Sequence, residues 1–127
     1  GVLRRSFENM TENAQLMMES YNRLTKAGAT FAMGTDNMGI ADTAGKNARE
    51  LELLTHFCDI STMDAIVMAT KNGAKACFMG DQAGTIEAGK LADIILVDGD
   101  PLKDITILQN ADKIKMVMLE GKVKKQA

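Results

Sequence analysis

Residues 31–37 read FAMGTDN, and the fold turns on how they are taken. Phe31, Ala32 and Met33 are apolar, uncharged and too few to make a helix of their own. A run of this kind suits a strand covered on both faces, as in a parallel sheet. Gly34 and Thr35 are small enough to let the backbone turn tightly, which places Asp36 at the rim. In parallel α/β folds ligands gather at the carboxyl ends of strands, where side chains and loops converge. A carboxylate there can bind a hard or borderline cation. Hydrogen-bonded to a metal-bound water, it can also take the proton. The commoner use of an aspartate after a strand is an N-cap or Asx turn, and the motif alone leaves both uses open.

Upstream, residues 7–27 carry Met10, Ala14, Met17, Tyr21 and Leu24 at three- and four-residue spacing, which predicts an amphipathic helix with one apolar stripe. Gly28 stops it, because glycine accepts the left-handed conformation common just past a helix end. Downstream, the glycine-bearing segment Asn37–Gly45 reads as a loop, and a second helix is expected over 46–58 with Ala48, Leu51, Leu54 and Cys58 on one side. Ser61 and Asp64 form a capping-box pattern. It opens a third helix through Ile66, Ala69, Gly73 and Cys77 that ends near Gly80.

Composition then changes. Glu87-Ala88-Gly89-Lys90 suits a tight turn with glycine at the position needing positive φ. Ile94 to Val97 is a strand closed by Asp98-Gly99-Asp100-Pro101. DITIL, residues 104–108, fits either a short helix or an extended piece. IKMVMLEGKVKK predicts two strands around Glu120-Gly121. The expected organisation is therefore helix–strand–helix–helix over residues 1–80 and mainly β over 81–127.

The 127 residues are 46% hydrophobic and 25% charged, as in a soluble globular domain. A net charge of −2 gives no electrostatic reason to capture nucleic acid, and no apolar run is long enough to span a membrane. Cys58 and Cys77 make neither a CxxC pair nor a zinc spacing, so they are expected as buried free thiols in a reducing compartment, which points to the cytoplasm. Gly84 to Lys90 has the spacing of a phosphate loop, but Leu91 stands where Ser or Thr would hold magnesium, and a strand follows instead of a helix. His56 is the only histidine and is expected on a helix surface or partly buried; one histidine cannot supply the three-ligand set of a catalytic zinc. The ten methionines are read as core filling.

Taken together, GATFAMGTDN, RELELLTHFCDISTMDAIVMATKNGAKACFMG, GTIEAGKLADIILVDGDPLKDITIL and IKMVMLEGKVKK run in an order that resembles the C-terminal part of metal-dependent amidohydrolases. The resemblance is strongest to the imidazolonepropionase-like and Xaa-Pro or Xaa-Arg dipeptidase-type branch. It implies an α/β fold made of the last strand and helices of a (β/α)8 TIM barrel, residues 1–80. Part of a flanking small β-sandwich would follow, residues 81–127. Phe31 to Gly34 would then be the eighth strand, and Asp36 the strand-eight aspartate that ligates metal and shuttles a proton. Asn37, Met38 and Gly39, directly after it, are expected to line the substrate pocket.

The same resemblance implies a divalent metal, zinc, in the full-length parent, and a small-molecule, dipeptide or cyclic-amide substrate whose C–N bond is hydrolysed. The family's other ligands, a His-x-His pair, a bridging lysine or carboxylate and two further histidines, have no counterpart here. A complete barrel takes about 250 residues. The chain also begins with Gly1 and not Met, so the expectation is a piece of a longer protein, inactive alone and binding no metal. An unpartnered barrel strand exposes backbone donors and acceptors, which predicts a homo-oligomer or pairing with the missing upstream barrel. The alternative is a non-catalytic packing or oligomerisation module in which Asp36 is structural.

Overall fold

The computed structural model describes residues 15–36, 45–58 and 60–126. Two compact units part between Phe31 and Ala32. In the first, a helix (α1) covers 15–26 of the described residues. Gly28, at φ 86°, closes it: its N–H donates to the Thr25 carbonyl at 2.9 Å, and the Ala29 N–H to the Leu24 carbonyl at 3.0 Å. Tyr21 meets Phe31 with ring centroids 4.6 Å apart. The expected apolar stripe differs: Met17 and Leu24 are exposed and Tyr21 is half-buried, while Met10 and Ala14 lie outside the described residues.

The second unit begins with AMGTD, residues 32–36, which takes no regular secondary structure and joins no sheet among the described residues. The reason is physical: a strand exists only as part of a ladder, and among the described residues the Met33 N–H meets the Met68 carbonyl of a helix, 3.1 Å away, and no neighbouring strand. Helices α2 (Arg49–Phe57) and α3 (Thr62–Val67) follow. Ser61 caps α3 as its sequence predicts. Its Oγ accepts from the Asp64 N–H at 3.1 Å and donates to Asp64 Oδ2 at 2.6 Å. The expected third helix then opens into a π turn, Met68–Asn72, before α4 (Gly73–Ala76). Its buried positions are Ala65 and Met68, whereas Ile66, Ala69 and Gly73 are only half-buried.

The C-terminal third is a three-stranded antiparallel sheet of β1 (Ile94–Val97), β2 (Ile114–Leu119) and β3 (Lys122–Gln126), in that order. Glu120 at φ 50° and Gly121 at φ 75° make the two-residue turn between β2 and β3, which needs positive φ at both positions. Gly89 turns at φ 89° as expected. The ambiguous DITIL stretch becomes a 3-10 turn, Ile105–Gln109, because Asp104 caps it: its Oδ1 accepts from the Thr106 N–H at 3.0 Å.

The buried apolar side chains among the described residues are Leu51, Ile60, Ala65, Met68 and Ile105. They join α2, α3 and the π turn to the 3-10 turn, and the joint is fastened at its edge by Thr62 Oγ1 donating to the Leu102 carbonyl at 3.0 Å and Gln109 Nε2 to Glu52 Oε2 at 2.8 Å. No helix among the described residues is long and apolar enough to cross a membrane.

Candidate functional site

Asp36 sits where a carboxylate can meet solvent. Met33 is half-buried and anchored by its N–H to the Met68 carbonyl. Gly34 is exposed, Thr35 is half-buried, and Asp36 is exposed at φ 46°. That backbone conformation is uncommon outside glycine, and aspartate is among the few residues that tolerate it. Among the described residues no hydrogen-bond or ion-pair partner engages Asp36, so nothing in them fixes it as a cap or Asx turn. Asn37, Met38 and Gly39, expected to continue the site, lie outside the described residues.

The other chemistry-bearing groups have local work. Asp93 Oδ1 accepts from the Glu120 N–H at 2.7 Å, and the Ala92 carbonyl from the Gly121 N–H at 3.1 Å, so Asp93 pins the β2–β3 turn to the start of β1. Asp98 pairs with Lys113 at 3.3 Å, and Asp100 Oδ1 accepts from the Leu102 N–H at 3.0 Å. Lys90, mostly buried, donates from Nζ to the Gly80 carbonyl at 2.8 Å and to Thr85 Oγ1 at 2.7 Å, which clamps its own loop. Neither Lys90 nor Asp93 was singled out by sequence reading, and the only signal for them is polar residues flanking a strand. His56 is exposed on α2, edge-on to Phe57 with centroids 4.7 Å apart.

The two cysteines part company. Cys58 is half-buried, and burial, then the nearby Glu50 carboxylate, raises its thiol above the ordinary value. Cys77 is exposed, contrary to the expectation of two buried thiols, because α4 ends there and the chain turns away at Phe78.

Among the described residues, no three of His, Cys, Asp and Glu converge on a point that could hold a metal ion. A single carboxylate does not fit a metal centre by itself. An open groove of about 630 Å³ is lined by residues that include Ile66, Ala69, Ala74, Ile86, Leu91 and Ile94, and Asp36 is not part of its wall.

The chain belongs to the amidohydrolase family, whose sequence pattern it matches over residues 9–124. It is 30% identical over 126 residues to ochratoxinase of Aspergillus niger, covering 97% of this chain and 25% of that enzyme. It is 39% identical over 85 residues to imidazolonepropionase of Caldanaerobacter subterraneus subsp. tengcongensis, covering 63% of this chain and 19% of the relative. Among solved structures it matches a Xaa-Pro dipeptidase with bound methionine in the active site, with a TM-score of 0.72 and 31% identity over 85% of this chain and 25% of that one. The chain thus spans about a quarter of the length of relatives such as ochratoxinase and the dipeptidase.

Proposed function

We propose that this chain supplies the closing segment of a hydrolase of C–N bonds, with Asp36 as the carboxylate that moves the proton. The observation that carries this reading is the position of Asp36. It follows the apolar run Phe31-Ala32-Met33 by a small Gly34-Thr35 pair and is exposed and without a partner among the described residues, in a chain of amidohydrolase sequence. At that place its carboxylate accepts a proton from the attacking water and passes it to the leaving nitrogen. A dipeptide, an N-acylated amino acid or a cyclic amide is the substrate class. Support comes from likeness to a dipeptidase that holds an amino acid in its active site and to imidazolonepropionase.

In this reading residues 1–80 belong to the last strand and helices of a (β/α)8 barrel and 81–127 to the flanking small β-sandwich. Asn37, Met38 and Gly39 line the pocket, and the parent works in the cytoplasm. The family generally uses a divalent metal. One carboxylate is all this chain's described residues offer such an ion, so zinc and its remaining ligands would belong to the parent's other three quarters, and this chain alone would be inactive. Pairing with that missing part, or self-association, covers the unpaired run.

The test places this chain within a polypeptide of its relatives' length and replaces Asp36 with Asn. Turnover is expected to fall by about 10²- to 10⁴-fold with the fold intact. Turnover within a few-fold of the parent sinks the assigned role and favours the packing module, in which Asp36 is structural.

A further inference from the structure

Among the described residues, the segment 32–36 that ends in Asp36 is tied to its unit by the Met33 N–H, which donates to the Met68 carbonyl at 3.1 Å. Met68 is the first residue of the π turn Met68–Asn72, a deviation from α-helix that occurs mostly as single turns and often at functional sites. Two features of the turn have local causes. Thr70 Oγ1 donates to the Ile66 carbonyl at 2.7 Å, a back-bond that competes with the helix ladder and bends it. Gly84, at φ 88°, lies so close that a Cβ there would stand 2.6 Å from Ala74 Cβ, 2.8 Å from the Thr70 carbonyl oxygen and 3.1 Å from Lys71 Cα. Two of those contacts are backbone, so no side-chain rotation could relieve them. Gly84 is half-buried within a loop held by Lys90, whose ammonium reaches both the Gly80 carbonyl and Thr85 Oγ1.

We infer that the π turn, braced by Gly84, is a positioning device for Asp36, with the Met68 carbonyl as its contact and Gly84 as its remote positioning residue. This rests on the reading of Asp36 as the proton-moving carboxylate, and it adds how that carboxylate is held. The bond lies three residues before Asp36 and precedes the small pair Gly34-Thr35, which has no ladder of its own among the described residues. A shift of about 1 Å in a reacting group can cost about 10²-fold in rate, so a register bond this near the carboxylate sets turnover and not substrate affinity.

The bond itself is tested in this chain by amide hydrogen exchange. The Met33 amide is expected to be protected. Gly84→Ala is expected to speed its exchange at least about tenfold while Val117 and Met118 of β2 stay within about twofold. A Met33 amide that exchanges at the rate of an unstructured peptide, or one indifferent to Gly84→Ala, overturns the inference.

Its functional half is tested in the polypeptide of the relatives' length, which also serves if Gly84→Ala does not fold. Replacing the Met33 amide by an ester removes the N–H without introducing a proline ring; Met33→Ala keeps the N–H and removes the side chain. The expected result is a kcat lowered about 10- to 100-fold by the ester at unchanged KM, with Met33→Ala within about threefold of the parent. Equal losses in the two variants, or a loss carried by KM, overturn the positioning role. Asp36→Asn in the same background separates the two ideas. Retained turnover there removes the role of Asp36 and with it any positioning for it, and leaves the Met33–Met68 bond to be judged by exchange alone.

Discussion

Two short apolar runs in this chain read almost alike. FAMGTD, residues 31–36, and IILVDGD, residues 94–100, both end in small residues and an aspartate. Their fates differ. Ile94–Val97 becomes β1, because β2 arrives less than twenty residues later and pairs with it antiparallel, Ile95 opposite Val117. Among the described residues the Met33 N–H meets a helix carbonyl, that of Met68, and the run joins no strand. The acids follow suit: Asp98 is held by Lys113, while Asp36 is exposed with no partner among the described residues. A paired run uses its terminal acid to fasten its own turn. An unpaired one leaves the acid without such work among the described residues, and the proposed role of Asp36 rests on that contrast.

The sharpest way to break the comparison is to neutralise both acids in a polypeptide of the relatives' length. Asp36→Asn is expected to cost about 10²- to 10⁴-fold in turnover. Asp98→Asn is expected to leave turnover within about twofold and stability within about 0.5 kcal/mol, since it loses only the exposed ion pairs with Lys113 and Lys115. Comparable losses of activity from both would erase the distinction between the runs.

Proline scanning attacks the pairing itself. Val117 lies in the central strand, where every N–H faces a neighbour, so Val117→Pro is expected to cost about 3 kcal/mol or more in urea denaturation of this chain. Ala32→Pro spares the Met33 N–H and removes no ladder bond among the described residues, so it is expected to cost less than about 1 kcal/mol here. In the longer polypeptide the barrel reading reverses this. A strand paired on both sides cannot take proline, and Ala32→Pro should then cost as much as Val117→Pro. An equally mild effect in both settings would rule out a barrel strand at residues 31–34.

The same contrast explains what could be read from the amino-acid order. Local devices were legible because their cause lies within a few residues. The Ser61–Asp64 cap, the Gly89 turn, the Glu120-Gly121 hairpin and the body of α2 are of this kind. Asp36 was legible as a residue of interest because it ends an apolar run. The strand at 31–34 was not realised, since its ladder needs partners that the described residues do not contain. The π turn was not foreseen either: periodicity placed the third helix's inner face on Ile66, Ala69, Gly73 and Cys77, and the turn shifts burial to Ala65 and Met68. Its causes, Thr70 bonding back to Ile66 and Gly84 approaching from a later loop, combine a local side-chain bond with a contact across fourteen residues. A periodic pattern carries neither. Nor did the pattern show that Asp93 would reach the turn at Glu120, because that bond spans the sheet.

Left-handed backbone offers the last and smallest test. Asp36, Phe78 and Glu120 are the non-glycine residues at positive φ among those described, at 46°, 59° and 50°. Glu120 is placed by a hairpin turn, and Asp36 ends the unpaired run. Phe78 has neither excuse: it is the left-handed residue just past α4, where the Met79 N–H donates to the Ala74 carbonyl at 2.8 Å and the Phe78 N–H to the Lys75 carbonyl at 3.0 Å. Glycine is the usual residue at such a helix end, since a Cβ in this conformation costs about 1–2 kcal/mol. The phenyl ring is 96% exposed, so it returns almost nothing through packing within this chain. Phe78→Gly is therefore expected to stabilise the chain by about 0.5–1 kcal/mol, part of the relief being lost to the greater freedom of glycine when unfolded. A destabilised variant would mean that the ring is packed in solution, against a second copy or elsewhere.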